Sequence, residues 1–213
     1  MSEKLPWGLL ALVLGWGLLL LGWRLSRPQD LNARQMALVS VLATVAGISR
    51  VPFAAIPSLQ PTTALIVIIG SVFGSRAGFL AGSGAALISN FFLGQGPWTL
   101  WQMLFWGLIG AGAGLLAGPS AAPTATLRRL TVYAFLAGYA FGWGMNFWSW
   151  LAFFPPPRLL SLILLQTASL GLDSLHAVGN VFFIRLLAPS LLPVLRRYQA
   201  KSAPAQLSLP PQS

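Results

Sequence analysis

Residues 62–93 read TTALIVIIGSVFGSRAGFLAGSGAALISNFFL and carry a single charge, Arg76. A stretch this long and this apolar is unsuited to the hydrated surface of a soluble domain. A turn at Arg76 divides it into two helical segments, 62–75 and 77–93. Glycines 70, 74, 78 and 82 recur every four residues along it. In lipid, small residues at that spacing let helix backbones approach closely.

The same texture extends in both directions. Further apolar segments lie at 6–23, 35–49, 100–118, 130–154 and 170–188, with Gly110, Gly114 and Gly118 and then Gly138 and Gly142 repeating the four-residue step. Pro52, Pro57 and Pro61, then Gly94-Gln95-Gly96-Pro97, then Pro155-Pro156-Pro157 punctuate them, and 119–126 is a loop of small residues and proline. The chain is 56% hydrophobic and 8% charged, against roughly a quarter charged in soluble domains. At about 20 residues per crossing, its 213 residues hold six or seven membrane helices and no second, soluble domain. The expectation is an all-α, multi-pass integral protein of the cell membrane.

The first segment is read as a retained helix and not a signal peptide. Glu3 and Lys4 make its leading flank neutral, and Arg24 and Arg27 follow it directly without a small-x-small cleavage site. The tail, 202–213, is polar and reads as disordered.

The basic residues alternate by side. Arg24, Arg27, Arg34, Arg76, Arg128, Arg129, Arg185, Arg196, Arg197 and Lys201 fall on one set of connections, and only Lys4, Arg50 and Arg158 on the other. The positive-inside rule then places the amino terminus outside and the carboxyl terminus in the cytoplasm. It also accounts for the net charge of +10 as topology signals beside anionic lipid, with no nucleic-acid partner implied. There is no cysteine and a single histidine, which excludes disulfides, cysteine nucleophiles and multi-histidine metal sites. No Gly-x-x-x-x-Gly-Lys-Ser/Thr string for ATP is present.

Few residues remain to carry chemistry. Asp173, His176 and Asn180 share one helix face at i, i+3 and i+7. A carboxylate at mid-membrane costs about 2.5–3.5 kcal/mol on insertion scales, so it needs a partner or a purpose. The face reads either as a self-satisfied packing cluster or as part of a polar ligand site, with Asp173 as structural support. The second constellation is Asn90 with Gln95, Trp98, Trp101 and Gln102 around the Gly94–Pro97 break. Its glycines permit close approach to a ligand, and its tryptophans serve either as ligand faces or as interfacial anchors. Asn146, between Trp143 and Trp148, can add an amide. Arg50 is either a snorkelling arginine or a donor to an anionic or amide-rich ligand; Gln60 is a lesser candidate.

Several of these strings together resemble a known family. They are Arg50 ending a small-residue helix, Ile56-Pro57, Gln60-Pro61, Ile88-Ser89-Asn90, Gly94-Gln95-Gly96-Pro97-Trp98-Thr99-Leu100-Trp101-Gln102, and Leu175-His176-Ala177-Val178-Gly179-Asn180. In this order, across about residues 33–200, the chain resembles the substrate-binding (S) components of energy-coupling-factor (ECF) vitamin transporters, and in look the cobalamin-type ones most. The resemblance implies a six-helix bundle at 33–201, preceded at 1–32 by an additional transmembrane helix and cytoplasmic connector. It implies an outward-facing vitamin cavity and docking on a T component driven by two ATP-binding subunits. It implies no catalytic residue, metal or cofactor. Ala43 and Gly47 are the best match to the family's Ala-x-x-x-Ala docking motif, with Ala33 and Ala37 the other candidate. Folate-like, pantothenate-like and deazapurine ligands stay open beside cobalamin. Two other functions compete: a rhomboid-type intramembrane serine protease using Ser83 and His176, and a self-sufficient channel or secondary transporter.

Overall fold

The computed structural model describes residues 7–25, 31–116, 123–154 and 156–202. Seven α-helices follow in chain order among them: α1 (Trp7–Leu25), α2 (Ala33–Ile48), α3 (Thr62–Phe73), α4 (Ser75–Leu93), α5 (Trp98–Leu116), α6 (Pro123–Phe153) and α7 (Leu159–Ser202). A short 3-10 turn lies at Val51–Phe53. Each apolar segment expected from the sequence falls on one helix. Among the described residues, three stretches are long and apolar enough to cross a membrane: Ala33–Phe53, Trp98–Leu116 and Leu159–Ser202. Val41, Val45 and Ile48 on α2 stand exposed at helical spacing, as do Val178, Phe182 and Leu186 on α7. Stripes of this kind exceed what a soluble monomer leaves uncovered and suit a lipid-covered surface.

The stretch 62–93 is a helical hairpin closed by one residue. Gly74 has φ 89° and ψ −176°, a conformation open to glycine because it lacks Cβ. The break therefore comes at Gly74, two positions before the expected turn at Arg76. At 1.5 Å per residue, the 12 residues of α3 reach about 18 Å, against about 30 Å of hydrocarbon. All of them but Leu65 are buried, and α2, α4, α5, α6 and α7 surround the helix. Segment 62–75 is accordingly a short helix buried in the core, running Thr62–Phe73.

The glycine ladder is internal packing. A Cβ on Gly78 would overlap the carbonyl of Gly110, and one on Gly110 would overlap the carbonyl of Gly78, so α4 and α5 touch backbone to backbone. α1 lies against α5 and α6, where Ala11 and Leu19 join Trp101, Leu104 and Trp148 in one apolar cluster.

The other boundaries shift for local reasons. α6 starts at Pro123, inside the expected loop, because a first-turn proline has its φ preset and needs no N–H partner. α7 begins before residue 170 and passes through Pro189 and Pro193, where Ala188, Leu192 and Leu195 are buried against the core. Ser202, expected in the tail, is its last residue; 203–213, the first half of the loop (119–122) and the connector at 26–30 lie outside the described residues.

Helix ends alternate between two faces. At one face Asn32 caps α2 through a reciprocal pair with Gln35 and also bonds the Ser202 carbonyl at the end of α7. The other face carries the turns after α2 and α4 and the connection between α6 and α7. The charge alternation expects this second face outside.

Candidate functional site

Arg50 follows the end of α2 and is the hub of the second face. Its Nε donates to Gln60 Oε1 at 2.8 Å, and its Nη1 donates to Ser89 Oγ at 2.9 Å and Asn90 Oδ1 at 3.2 Å. The guanidinium lies 4.9 Å from the centre of the Trp106 ring, within cation–π range. No carboxylate pairs with it among the described residues, and its Nη2 makes no hydrogen bond there. The turn is held by Thr62, whose hydroxyl donates to the Ala46 carbonyl at 3.0 Å.

Beside this hub, His176 Nε2 and Thr63 Oγ1 are 3.0 Å apart, and Trp106 Nε1 donates to the same hydroxyl at 2.9 Å. Phe141 stacks on Trp106 with ring centres 4.4 Å apart and meets His176 edge-on at 5.5 Å. A histidine and an indole N–H, both buried on α7 and α5, thus share a partner on the core helix α3. Buried polar groups need such partners, because lipid and apolar side chains supply none.

A third network joins α6 to α7. Asn146 Nδ2 donates to Gln166 Oε1 at 2.8 Å and Ser169 Oγ at 2.7 Å. Ser169 Oγ also lies 2.7 Å from Asp173 Oδ2, as donor. Gly142 makes room for the Asp173 carboxylate, since a Cβ there would overlap it. Asp173 Oδ1 has no hydrogen bond among the described residues. Asp173 was expected to support His176; the two are one helical turn apart on α7, but their partners differ. The carboxylate serves the α6–α7 seam, and Thr63 holds the histidine.

The three networks meet at a cavity of about 570 Å³ open at the second face. Arg50 and Gln60 line it from the α2–α3 turn, with Phe53 and Pro57; Phe141, Met145 and Asn146 line it from α6; Ser169, Asp173 and His176 line it from α7. That size lies within the usual range for small-molecule sites, about 300–1,000 Å³. The walls offer an unpaired arginine N–H group, an unpaired carboxylate oxygen, an amide and an imidazole between apolar and aromatic surfaces. Such a set can hold a small molecule that carries both acceptors and donors.

Of the candidate site residues singled out by sequence, Arg50, Gln60, Asn146, Asp173 and His176 line this cavity, and Asn90, Gln95, Trp98, Trp101, Gln102 and Asn180 do not. Asn90 and Gln102 stand one layer back. Asn90 Nδ2 donates to Gln102 Oε1 at 2.7 Å and Thr99 Oγ1 at 2.9 Å, so Asn90 bridges α5 to Arg50. Gln95 continues the chain by accepting from Thr99 Oγ1 at 2.9 Å. Trp98 packs over Gly96 and edge-on to Trp148. Trp101 is fully buried against Gly15 of α1 and between Phe105 and Phe147, with its N–H unpartnered. Asn180 is also fully buried, its amide donating to the Ala134 carbonyl at 3.1 Å across the α6–α7 seam. The expectation that the Gln95–Gln102 segment and the Asp173 face wall one cavity together is therefore corrected. The segment reaches the cavity through Arg50, because α5 packs behind α4 at this level.

Two further assignments move. Ala43 and Gly47 are buried in the α2–α4 seam, Gly47 against the Ala85 carbonyl and Ile88, so they present no outer docking face. Ala33 and Ala37 are exposed. Ser83 Oγ donates to the Met103 carbonyl at 2.9 Å while His176 pairs with Thr63, so the protease pair does not assemble.

Sequence reading missed Ser169, Gln166 and Thr63. Gln166, Ser169, Asp173, His176 and Asn180 form one polar stripe with alternating steps of three and four. Starting the last segment at residue 170 cut that stripe in half.

In sequence, the chain is similar to a UPF0397 protein of Aliivibrio salmonicida (strain LFI1238), with 29% identity over 111 residues, 50% of this chain and 57% of the relative. The match thus spans little more than half of that relative's length. No protein-family model matches the chain, and no solved structure does.

Proposed function

We propose that this protein is the membrane-embedded substrate-binding subunit of an ATP-driven ECF importer in the cell membrane. In this reading it captures a vitamin-like micronutrient from outside and hands it to a T component and two ATP-binding subunits. It binds and does not catalyse. The observation that carries the proposal is the cavity at the expected outer face, walled by Arg50, Asn146, Asp173 and His176. The motif order, which resembles that of S components, supports it, and the partial similarity to a UPF0397 protein is a second, weaker support. Ala33 and Ala37, exposed on α2, take over the docking role first given to Ala43 and Gly47. A corrinoid with its nucleotide loop is larger than the drug-sized ligands such cavities enclose, so a cobalamin would stand partly outside it. A smaller ring compound would fit within.

The test is to purify the full chain from cells grown in rich medium and to identify co-purifying small molecules by mass spectrometry. Calorimetric titration then follows with whatever is found and with cobalamin, folate and pantothenate. Saturable binding that Arg50→Met weakens at least tenfold supports the reading, since a hydrogen bond to a charged group contributes about 1.5–3 kcal/mol. A preparation with no co-purifying molecule and no saturable binding overturns it.

A further inference from the structure

A second site lies at the opposite face, between α6 and α7. The register of this pair can be followed step by step. Gly142 lies against Asp173, Gly138 against the Ala177 backbone, and the Ala134 carbonyl takes the Asn180 amide at 3.1 Å. Continuing the same antiparallel steps brings Arg128 of α6 level with Arg185 of α7. Both arginines indeed line one groove of about 480 Å³, with Leu127, Thr131 and Val132.

The groove's chemistry is one-sided. Arg128 and Arg185 are exposed and have no hydrogen bond or ion pair among the described residues. The chain has three acidic residues. Asp173 is 12 positions from Arg185, about 18 Å along α7 at the usual helical rise, and Glu3 and Asp30 lie outside the described residues. Thr131 carries no formal charge, and its hydroxyl proton is given to the Leu127 carbonyl at 2.8 Å. Leu127 and Val132 make its walls mainly apolar, and Val132, with Phe182 and Leu186 near Arg185 in sequence on α7, is exposed as a lipid-covered surface would require. Paired guanidinium groups above apolar walls match a phosphate headgroup with an acyl chain below it, and they match a free anion less well.

We propose that Arg128 and Arg185 form a binding site for one anionic phospholipid at the face expected to be cytoplasmic. This goes beyond substrate capture and does not depend on it. The planar guanidinium suits phosphate oxygens in a way that a point charge does not. Basic residues near an anionic surface contribute about fivefold each in affinity, so the pair together contributes about 30-fold.

The test is native mass spectrometry of the full chain released from nanodiscs of equimolar phosphatidylglycerol and phosphatidylcholine. The natural chain should retain phosphatidylglycerol selectively. Arg128→Gln with Arg185→Gln should lower that retention about 30-fold. Arg196→Gln with Arg197→Gln removes equal charge elsewhere and should leave retention within about twofold. Should the double glutamine variant fail to fold, Arg185→Gln alone should lower retention about fivefold. Equal loss in both double variants, or no preference for phosphatidylglycerol, overturns the site. Displacement of the lipid by excess inorganic phosphate would reassign it to a free anion. Unchanged lipid retention with lost assembly onto partner subunits would reassign it to a protein contact.

Discussion

Gln102→Ala removes a side chain that does not touch the cavity, yet it should weaken ligand binding. Gln102 Oε1 accepts from Asn90 Nδ2 at 2.7 Å, and Asn90 Oδ1 accepts from Arg50 Nη1 at 3.2 Å. The truncation leaves one buried N–H of Asn90 without its acceptor, a loss of about 0.5–1.5 kcal/mol for the bond itself and up to about 3 if the group stays unsatisfied. Arg50 keeps Gln60 and Ser89, so it stays in place but with less restraint. The effect on ligand affinity should then be about two- to tenfold. The decisive measurement is a double-mutant cycle with Arg50→Met, using calorimetry on the ligand identified from the purified protein. If Gln102 acts only by aiming Arg50, Gln102→Ala should change affinity by no more than about twofold once Arg50 is methionine. Coupled neighbours give interaction energies of about 0.5–3 kcal/mol, and independent ones add within about 0.5. Additivity within that limit would show that Gln102 acts independently of Arg50, and the layered account of the site would be refuted.

Gly110→Val should cost more than about 3 kcal/mol and abolish the folded protein in detergent, because both sides of the contact are backbone; Gly17→Ala, with nothing within 4 Å of its Cβ, should leave the thermal midpoint unchanged or raised. Ala37→Leu should block ATP-driven uptake in cells while ligand binding in detergent stays intact. Gly47→Leu should instead destabilise the chain, since its Cβ would sit 2.9 Å from the Ala85 carbonyl; uptake surviving Ala37→Leu would remove that residue from docking. The chain has no cysteine, so Gln95→Cys should react with an impermeant thiol reagent in intact cells and Lys201→Cys should not. The reverse labelling would turn the cavity to the cytoplasm.

The helices were legible because apolar runs and proline or glycine breaks act locally. Asp173 and His176 stood out because ionisable groups are rare in such helices and each needs a partner. The identity of those partners was not legible. Sequence put Asn90 and Gln102 in the ligand's reach, and only the packing of α5 behind α4 makes them supports of Arg50. Gly74 was one of four glycines at equal spacing, and only its φ of 89° makes it the hairpin turn. Val39 and Val41 show the underlying limit: the first is 1% exposed and the second 59%, yet the two read alike. In water a polar outer face would tell them apart, but lipid is as apolar as the core. Sequence alone therefore determined that these segments are helices suited to a membrane, and which few polar groups they carry. Which face of each helix turns inward, and which polar groups meet at one cavity, was decided by backbone fit and hydrogen-bond pairing between helices distant in the chain.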